Sequence, residues 1–428
     1  MHYSDDVVFQ TVQQIRTPGA VEAILTAAWD EWFDTPVQGV RVTLGSTNYK
    51  PFKRARLMAE AVIVPGKKAP ALTLNLFMHV FADADTARLE AEQGRARGFI
   101  PCAGPPLLHV PQWRTVLWVL PNAPTLTELA GLMDADQFCR ALLPSTAVAA
   151  DRPYYPAPRL VRYVPLKRAI LTWDDPYVRQ RYFVKLFDGA DAARVVRNIR
   201  QINAAAARGE LCFAVPQLVA DNPAYHTLVM TEVAGQPFTE MMHHGLPAPF
   251  VAVGRMLAQL HGCTARPEVV WTPEHELAAL ERHMAGLKLA LPQLGTPLDQ
   301  ILASPDGMGL VDWDTLALGD PLYDVGRLLA HLLYLAGREA MAPDTVRACA
   351  EALVAAYEAA TGQTVHRHRL AWHVASQLLL RGKIAALRPL PEGWQAALAF
   401  VVAEAVAVLD GQSRYASLPH LGAVALEV

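Results

Sequence analysis

The sequence predicts an α+β chain. A β-rich amino-terminal part, built twice over, is followed by a mostly helical carboxyl-terminal part. Three observations predict this. Blocks of sequence recur in the same order at a spacing of about 110 residues, as internal duplication produces. Within each copy, β-rich runs bounded by turn residues read as strands around one stretch of helical period. From about Phe250 onward, apolar residues fall at helical spacing instead.

The recurring blocks are explicit. Tyr49-Lys-Pro-Phe-Lys-Arg-Ala-Arg-Leu57 is matched by Tyr163-Val-Pro-Leu-Lys-Arg-Ala-Ile-Leu171. Phe77-Met-His-Val-Phe81, followed by Ala84-Asp-Thr-Ala-Arg88, is matched by Phe183-Val-Lys-Leu-Phe187, followed by Ala190-Asp-Ala-Ala-Arg194. Thr115-Val-Leu-Trp-Val-Leu120 is matched by Thr227-Leu-Val-Met-Thr-Glu232. Each copy reads as a hairpin, a third strand, a helix and two more strands. In the second copy these fall near Arg159–Trp173, Tyr182–Phe187, Ala190–Arg208, Gln217–Ala220 and His226–Glu232. The organisation that follows is residues 1–142 as the first copy, a Pro-rich linker at 143–158, the second copy at 159–240 and a helical lobe at 241–428.

In the last part, Val251–His261 reads as a helix stopped by Gly262, and Glu274–Leu289 as another. A β patch spans Ile301–Val311 around the turn Ser304-Pro-Asp-Gly307. Helices follow at Pro321–Ala336, Thr345–Thr361, Ala371–Leu387 and Trp394–Leu409.

Composition narrows the function classes. The 428 residues are 52% hydrophobic and 18% charged, which describes a core-rich chain rather than a disordered one. A net charge of −3 gives no basic footprint for nucleic acid or an anionic membrane. The polar start Met1–Asp6 is unlike a signal peptide, and the longest apolar run, Ala396–Leu409, is interrupted by Glu404. Cys102, Cys139, Cys212, Cys263 and Cys349 have no metal or redox spacing and read as buried thiols of a cytoplasmic protein.

The residues able to carry chemistry cluster in Gly309-Leu-Val-Asp-Trp-Asp-Thr-Leu-Ala-Leu-Gly-Asp-Pro-Leu-Tyr-Asp324. Asp312 emerges from the end of an apolar strand, and Asp314 follows on the same side of an extended chain. Asp320 before Pro321 is placed to cap a helix, so Asp320 and Asp324 read as structural. Lys185 lies inside an apolar strand, where a lysine needs a partner such as a phosphate, unless the strand is an edge from which it reaches solvent. His243, His244, His366, His368 and His373 lack ligand spacing and read as solvated. His261 reads as a core or capping residue.

These residues resemble the aminoglycoside phosphotransferase and choline kinase-like superfamily, including its maltokinase-like sugar kinases, over about Arg159–Trp394. The segment Val311–Asp324 carries most of the likeness. Phe183–Phe187, Met230–Phe238, Leu257–His261, Asp299–Leu302 and Leu378–Arg381 support it. The resemblance implies a bilobal protein kinase-like fold with a duplicated β-rich N-lobe and a helical C-lobe. It also implies ATP and Mg²⁺ as cofactors, with Lys185 on the phosphates, Glu232 in the hinge that meets the nucleotide, and Gln300 and Asp312 on the metal.

The family's catalytic loop should occupy Gln293-Leu294-Gly295, so Gly295 stands where the base aspartate belongs. Asp299 and Asp314 are the acids nearest to replacing it. No glutamate lies in the helix Ala190–Arg208 to pair with Lys185, whereas the first copy has Glu90 and Glu92 but His79 at the lysine position. Two readings follow. One is a pseudokinase or impaired kinase that binds a nucleotide, a small ligand or a protein partner; the other is an active phosphotransferase acting on a sugar or amino-alcohol hydroxyl.

Overall fold

A computed structural model describes residues 5–31, 37–65, 70–99, 104–142, 155–189, 191–242, 244–272, 274–278, 301–304, 307–311, 314, 316–339, 341–382 and 394–416. The chain divides into two compact units. The first holds the residues up to Ala192 together with Val219–Met230; the second holds Ala193–Leu218 and everything from Thr231.

The first unit begins with two helices that the sequence reading does not assign, α1 (Val7–Arg16) and α2 (Ala20–Asp30). Val8, Val12 and Ile15 form the buried stripe of α1. Asp6 starts this helix and does more than cap it. Its side chain accepts from the Val8 amide at 2.8 Å, the Phe52 amide at 2.6 Å and the Tyr49 hydroxyl. The start of the helix is thereby tied to the first hairpin turn.

Two five-stranded sheets follow. The first contains β1 (Val37–Lys50), β2 (Arg54–Pro65), β3 (Leu72–Phe81), β4 (Leu107–Val110) and β5 (Thr115–Val119), in the order β1-β2-β3-β5-β4. Helix α3 (Ala84–Ala96) joins β3 to β4, and α4 (Leu129–Leu132) and α5 (Ala135–Leu142) close this part. The second contains β6 (Arg159–Val164), β7 (Arg168–Asp175), β8 (Gln180–Phe187), β9 (Leu218–Asn222) and β10 (Thr227–Thr231), in the order β6-β7-β8-β10-β9. Helix α6 (Asp191–Ala207) joins β8 to β9.

The two sheets share strand order, and they also share unusual backbone. Pro51 and Pro165 occupy the turns of the two first hairpins, and the residues after them, Phe52 and Leu166, both have positive φ, at 55° and 60°. Pro favours the second position of such a turn, whereas a non-glycine residue with positive φ costs about 1 kcal/mol. Each turn closes with the same bond, Lys53 N–H to Lys50 O and Lys167 N–H to Val164 O, both at 3.1 Å. A 3₁₀ turn precedes the last strand of each sheet, ending on Arg114 (φ 46°) and His226 (φ 49°).

The sheets meet in one hydrophobic core. Phe77, Val116 and Trp118 of the first sheet cluster with Tyr163, Leu171, Trp173, Val184 and Leu186 of the second, and with Leu129 and Phe138 of α4 and α5. Strand alternation puts Phe77, His79 and Phe81 on one face of β3, and puts Lys185 on the face of β8 opposite Val184 and Leu186. The first sheet therefore packs through the face that carries His79, while Lys185 lies on the other face of its own sheet.

The second unit is mainly helical. A small sheet pairs β11 (Gln236–Pro237), β12 (Ile301–Ser304) and β13 (Gly307–Leu310). The helices after α6 are α7 (Phe238–Met242), α8 (Pro247–Gly262), α9 (Leu322–Glu339), α10 (Pro343–Thr361), α11 (Arg367–Gly382) and α12 (Trp394–Leu409). Helix α8 packs on α10, α9 on α11, and α11 on α12. Glycines permit the close approaches: a Cβ on Gly254 of α8 would lie 2.5 Å from the Leu353 carbonyl oxygen of α10. The expected helix at Glu274–Leu289 is helical over 274–278, and its remainder lies outside the described residues. Helix α11 starts earlier than the sequence reading placed it. No helix among the described residues is long and apolar enough to cross a membrane.

Candidate functional site

Lys185 sits on β8, the central strand of its sheet, which removes the edge-strand alternative. It is 6% exposed. A primary ammonium buried to that degree is costly unless partnered. Glu232 is exposed, one residue past the end of β10.

In the second unit β13 ends at Leu310, whose amide donates to the Ala214 carbonyl at 3.1 Å. The strand thus stops just short of Asp312, as the sequence reading expects. Asp312 itself, with Gly295, Asp299 and Gln300, lies outside the described residues. Asp314 is 4% exposed, and its backbone carbonyl accepts a hydrogen bond from Arg194 of α6. Among the described residues no three His, Cys, Asp or Glu side chains gather as a metal site. A magnesium ion on a nucleotide takes one or two protein oxygens, the phosphates and water. A carboxylate and an amide from Asp312 and Gln300 are hard oxygen donors of the right kind for it.

Asp320 caps α9 as expected: its carboxylate accepts from the Leu322 amide at 3.0 Å. It is also the centre of a network. Arg369 Nε donates to it at 3.1 Å and His373 Nε2 lies at 3.0 Å. On its other side, His373 Nδ1 lies 3.1 Å from Glu276, which also accepts from the Ser376 hydroxyl. Burial opposes charge on both Asp320 and His373. The hydrogen bonds overcome it, holding the Asp320 carboxyl below its usual range and raising His373. His373 is therefore not the solvated histidine of the sequence reading; it is 6% exposed and joins two carboxylates. His261 is partly buried rather than fully in the core, with Nε2 3.2 Å from Asp324 and Nδ1 3.0 Å from the Tyr357 hydroxyl, linking α8, α9 and α10. Asp324 thus has a structural partner.

In the first sheet His79 Nδ1 lies 2.9 Å from Glu90 of α3, which also accepts from Trp118 Nε1 at 3.1 Å. The sequence reading gave each copy half of a strand-cation and helix-acid pair. The first copy instead has a whole one, with histidine as its strand member. Of the cysteines, Cys263 and Cys349 are buried, Cys139 is half-buried and Cys212 is exposed, so the expectation of buried thiols fails for Cys212.

Residues 168–304 and 298–373 match the phosphotransferase enzyme family. The match runs from residue 168 to 373, just under half of the chain, and over that region the fold is protein kinase-like. A choline/ethanolamine kinase family protein from Mesorhizobium loti is similar at 18% identity over 62% of this chain and 94% of that one, with a TM-score of 0.41. Choline kinase LicA from Streptococcus pneumoniae is similar at 12% identity over 59% and 95%, with a TM-score of 0.39. Aminoglycoside phosphotransferase APH(3'')-Id from Streptomyces rimosus is similar at 14% identity over 53% and 93%, with a TM-score of 0.35. No curated protein sequence matches the chain.

Proposed function

We propose that this is a nucleotide-binding member of the family whose phosphoryl transfer is impaired. Lys185 supplies the cation for the phosphates, Glu232 stands in the hinge segment, and Gln300 and Asp312 take Mg²⁺. When bound, the metal would neutralise phosphate charge. The chain's own contribution is to place a lysine and hard oxygen donors around a nucleotide. The observation that carries this reading is the buried Lys185 on the central strand β8, in a chain with glycine at position 295. The binding half of the site is kept, and the base that orients the acceptor hydroxyl is missing. Loss of a general base costs on the order of 10²–10⁴ in rate. Asp314 is a poor substitute, being 4% exposed.

The first sheet is, on this reading, a degenerate copy of the N-lobe that acts as a scaffold. Its His79 face is occupied by the second sheet. Phe77 meets Tyr163 at a ring distance of 5.7 Å, and Arg56, the cross-strand neighbour of His79, donates to the Pro165 carbonyl at 3.3 Å. Such packing leaves the His79 face no room for a nucleotide. The unmatched charge pattern assigns no nucleic-acid or membrane partner, and a cytoplasmic setting suits a nucleotide-dependent protein.

The test is phosphate transfer from Mg·ATP to a panel of sugars, aminoglycosides and amino-alcohols, by the wild type and by Gly295→Asp. The account expects no transfer at ordinary kinase rates by the wild type and a gain for the variant. Rapid transfer by the wild type establishes the active-kinase reading instead.

A further inference from the structure

We infer that the first unit holds a small free carboxylate between its two sheets, on the Tyr163 hydroxyl, the Leu166 amide and the Arg56 guanidinium. The site goes beyond the nucleotide reading and does not depend on it.

The first hairpin shows what such donors take. The Tyr49 hydroxyl and the Phe52 amide, the latter at 2.6 Å, donate to one carboxylate oxygen of Asp6, and the Val8 amide donates to the other at 2.8 Å. The second hairpin repeats this layout. Tyr163 lies opposite Ala169 as Tyr49 lies opposite Ala55. Pro165 and Leu166 follow Tyr163 at the spacing of Pro51 and Phe52 after Tyr49, and Leu166 and Phe52 share the left-handed conformation. The same hydrogen bond closes both turns. Equal register and equal turn give the second tyrosine hydroxyl and the second amide the relation that the first pair has to Asp6.

Among the described residues, the second hairpin has no counterpart of Asp6. Tyr163 is 5% exposed, and its hydroxyl is buried without a hydrogen-bond partner there. Burial pushes the Tyr163 phenol up, so it stays protonated and remains a donor. Arg56 reaches the same turn from β2. Its Nη1 donates to the Pro165 carbonyl at 3.3 Å, while its Nε is buried and likewise without a partner among the described residues. Buried donors of this kind are costly until an acceptor meets them. Of the charged groups that act on Tyr163, Arg56 is the strongest, ahead of Glu90 and Asp188. Glu90 is already engaged by His79 and Trp118.

Three donors, one of them charged, thus serve one turn. A single water has too few lone pairs for all of them. A carboxylate accepts on both oxygens and matches the fork of a guanidinium. The site is also distinct from the one assigned to a nucleotide. Tyr163 lies opposite Ala169, which lies opposite Leu186, so Tyr163 shares the face of Leu186, whereas Lys185 is on the other face of the sheet. The Tyr163 ring meets Phe77 of the first sheet.

Thermal melts of the full chain in sodium formate, against sodium chloride and sodium phosphate at equal ionic strength, test this. Formate should raise the melting temperature along a saturable curve, and chloride and phosphate should not. Tyr163→Phe should weaken the apparent formate affinity by about tenfold, the loss expected for one hydrogen bond to a charged group. Arg56→Lys should weaken it as well, and Tyr49→Phe should leave it unchanged. If Tyr163→Phe does not fold, Arg56→Lys must itself show the loss. A wild-type response that is absent, that chloride or phosphate reproduces, or that the folded Tyr163→Phe keeps in full overturns the inference. Because no nucleotide is present, each of these results leaves the nucleotide reading untouched.

Discussion

His79 on β3 and Glu90 on α3 form a 2.9 Å pair, and Glu90 is also the acceptor for Trp118 of β5. Strand, helix and neighbouring strand are thus joined through one carboxylate. In the second sheet the strand position holds Lys185. The His79 Nε2 atom is buried with no partner among the described residues, so the ring depends on Glu90 alone. Glu90→Ala should cost about 1–3 kcal/mol by leaving two buried donors unmatched, and Glu90→Gln should cost less. Chemical denaturation measures both, and equal stability of Glu90→Ala and wild type would remove the pair's structural role.

Asp6 should be as important to the amino-terminal helices. It joins the start of α1 to the positive-φ turn at Phe52 through three acceptor contacts. Asp6→Ala removes the cap, worth about 1 kcal/mol, and also the acceptor shared by the Tyr49 hydroxyl and the Phe52 amide, so a total near 2–3 kcal/mol is expected. Asp6→Asn should retain part of it. Thermal melts of the two variants check the order.

The network around His373 predicts a stability optimum in mildly acidic solution. Asp320 is held below its ordinary range, so its contribution is present above the unfolded aspartate value near 3.8 and is lost as pH falls through the lower folded value. His373 is raised, so its contribution is complete below the unfolded value near 6.5 and is lost as pH rises through the higher folded value. The pair is fully effective between those limits. The melting temperature should decline above that window in the wild type and decline less in His373→Gln. Identical pH profiles would refute the assignment.

Helix α8 can approach α10 only because residue 254 has no side chain. A Cβ there would lie 2.5 Å from the Leu353 oxygen and 3.0 Å from the Tyr357 nitrogen, both backbone atoms. Gly254→Ala must push the helices apart, at a cost of about 1–3 kcal/mol. Because His261 and Tyr357 span the same pair of helices, the change should also loosen their 3.0 Å contact. Urea denaturation provides the measurement, and an unchanged midpoint would contradict the packing described.

Much of this architecture is written in short-range patterns. Alternation along Tyr182–Phe187 and the Pro turns at 51 and 165 give both sheets, and Asp320-Pro321 gives the start of α9, because each depends on neighbours in sequence. Helix α1 is legible in the same way, from Val8, Val12 and Ile15 at helical spacing. Contacts between distant residues are different. Arg194 meets Asp314 across 120 residues, and His373 meets Glu276 across 97. Neither has a local signature, which is why His373 looked like a surface residue. For the candidate site, the sequence supplied Lys185, Gln300 and Asp312 by resemblance, and the fold adds the burial of Lys185.

The central claim is nucleotide binding without ordinary turnover, and calorimetry of Mg·ATP on the full chain tests it most directly. Wild type should bind one Mg·ATP, and Asp312→Ala should lose the magnesium-dependent part of the affinity. Lys185→Met should weaken binding with or without the metal. No heat of binding at millimolar Mg·ATP, or equal affinity in wild type and Asp312→Ala, would contradict the account.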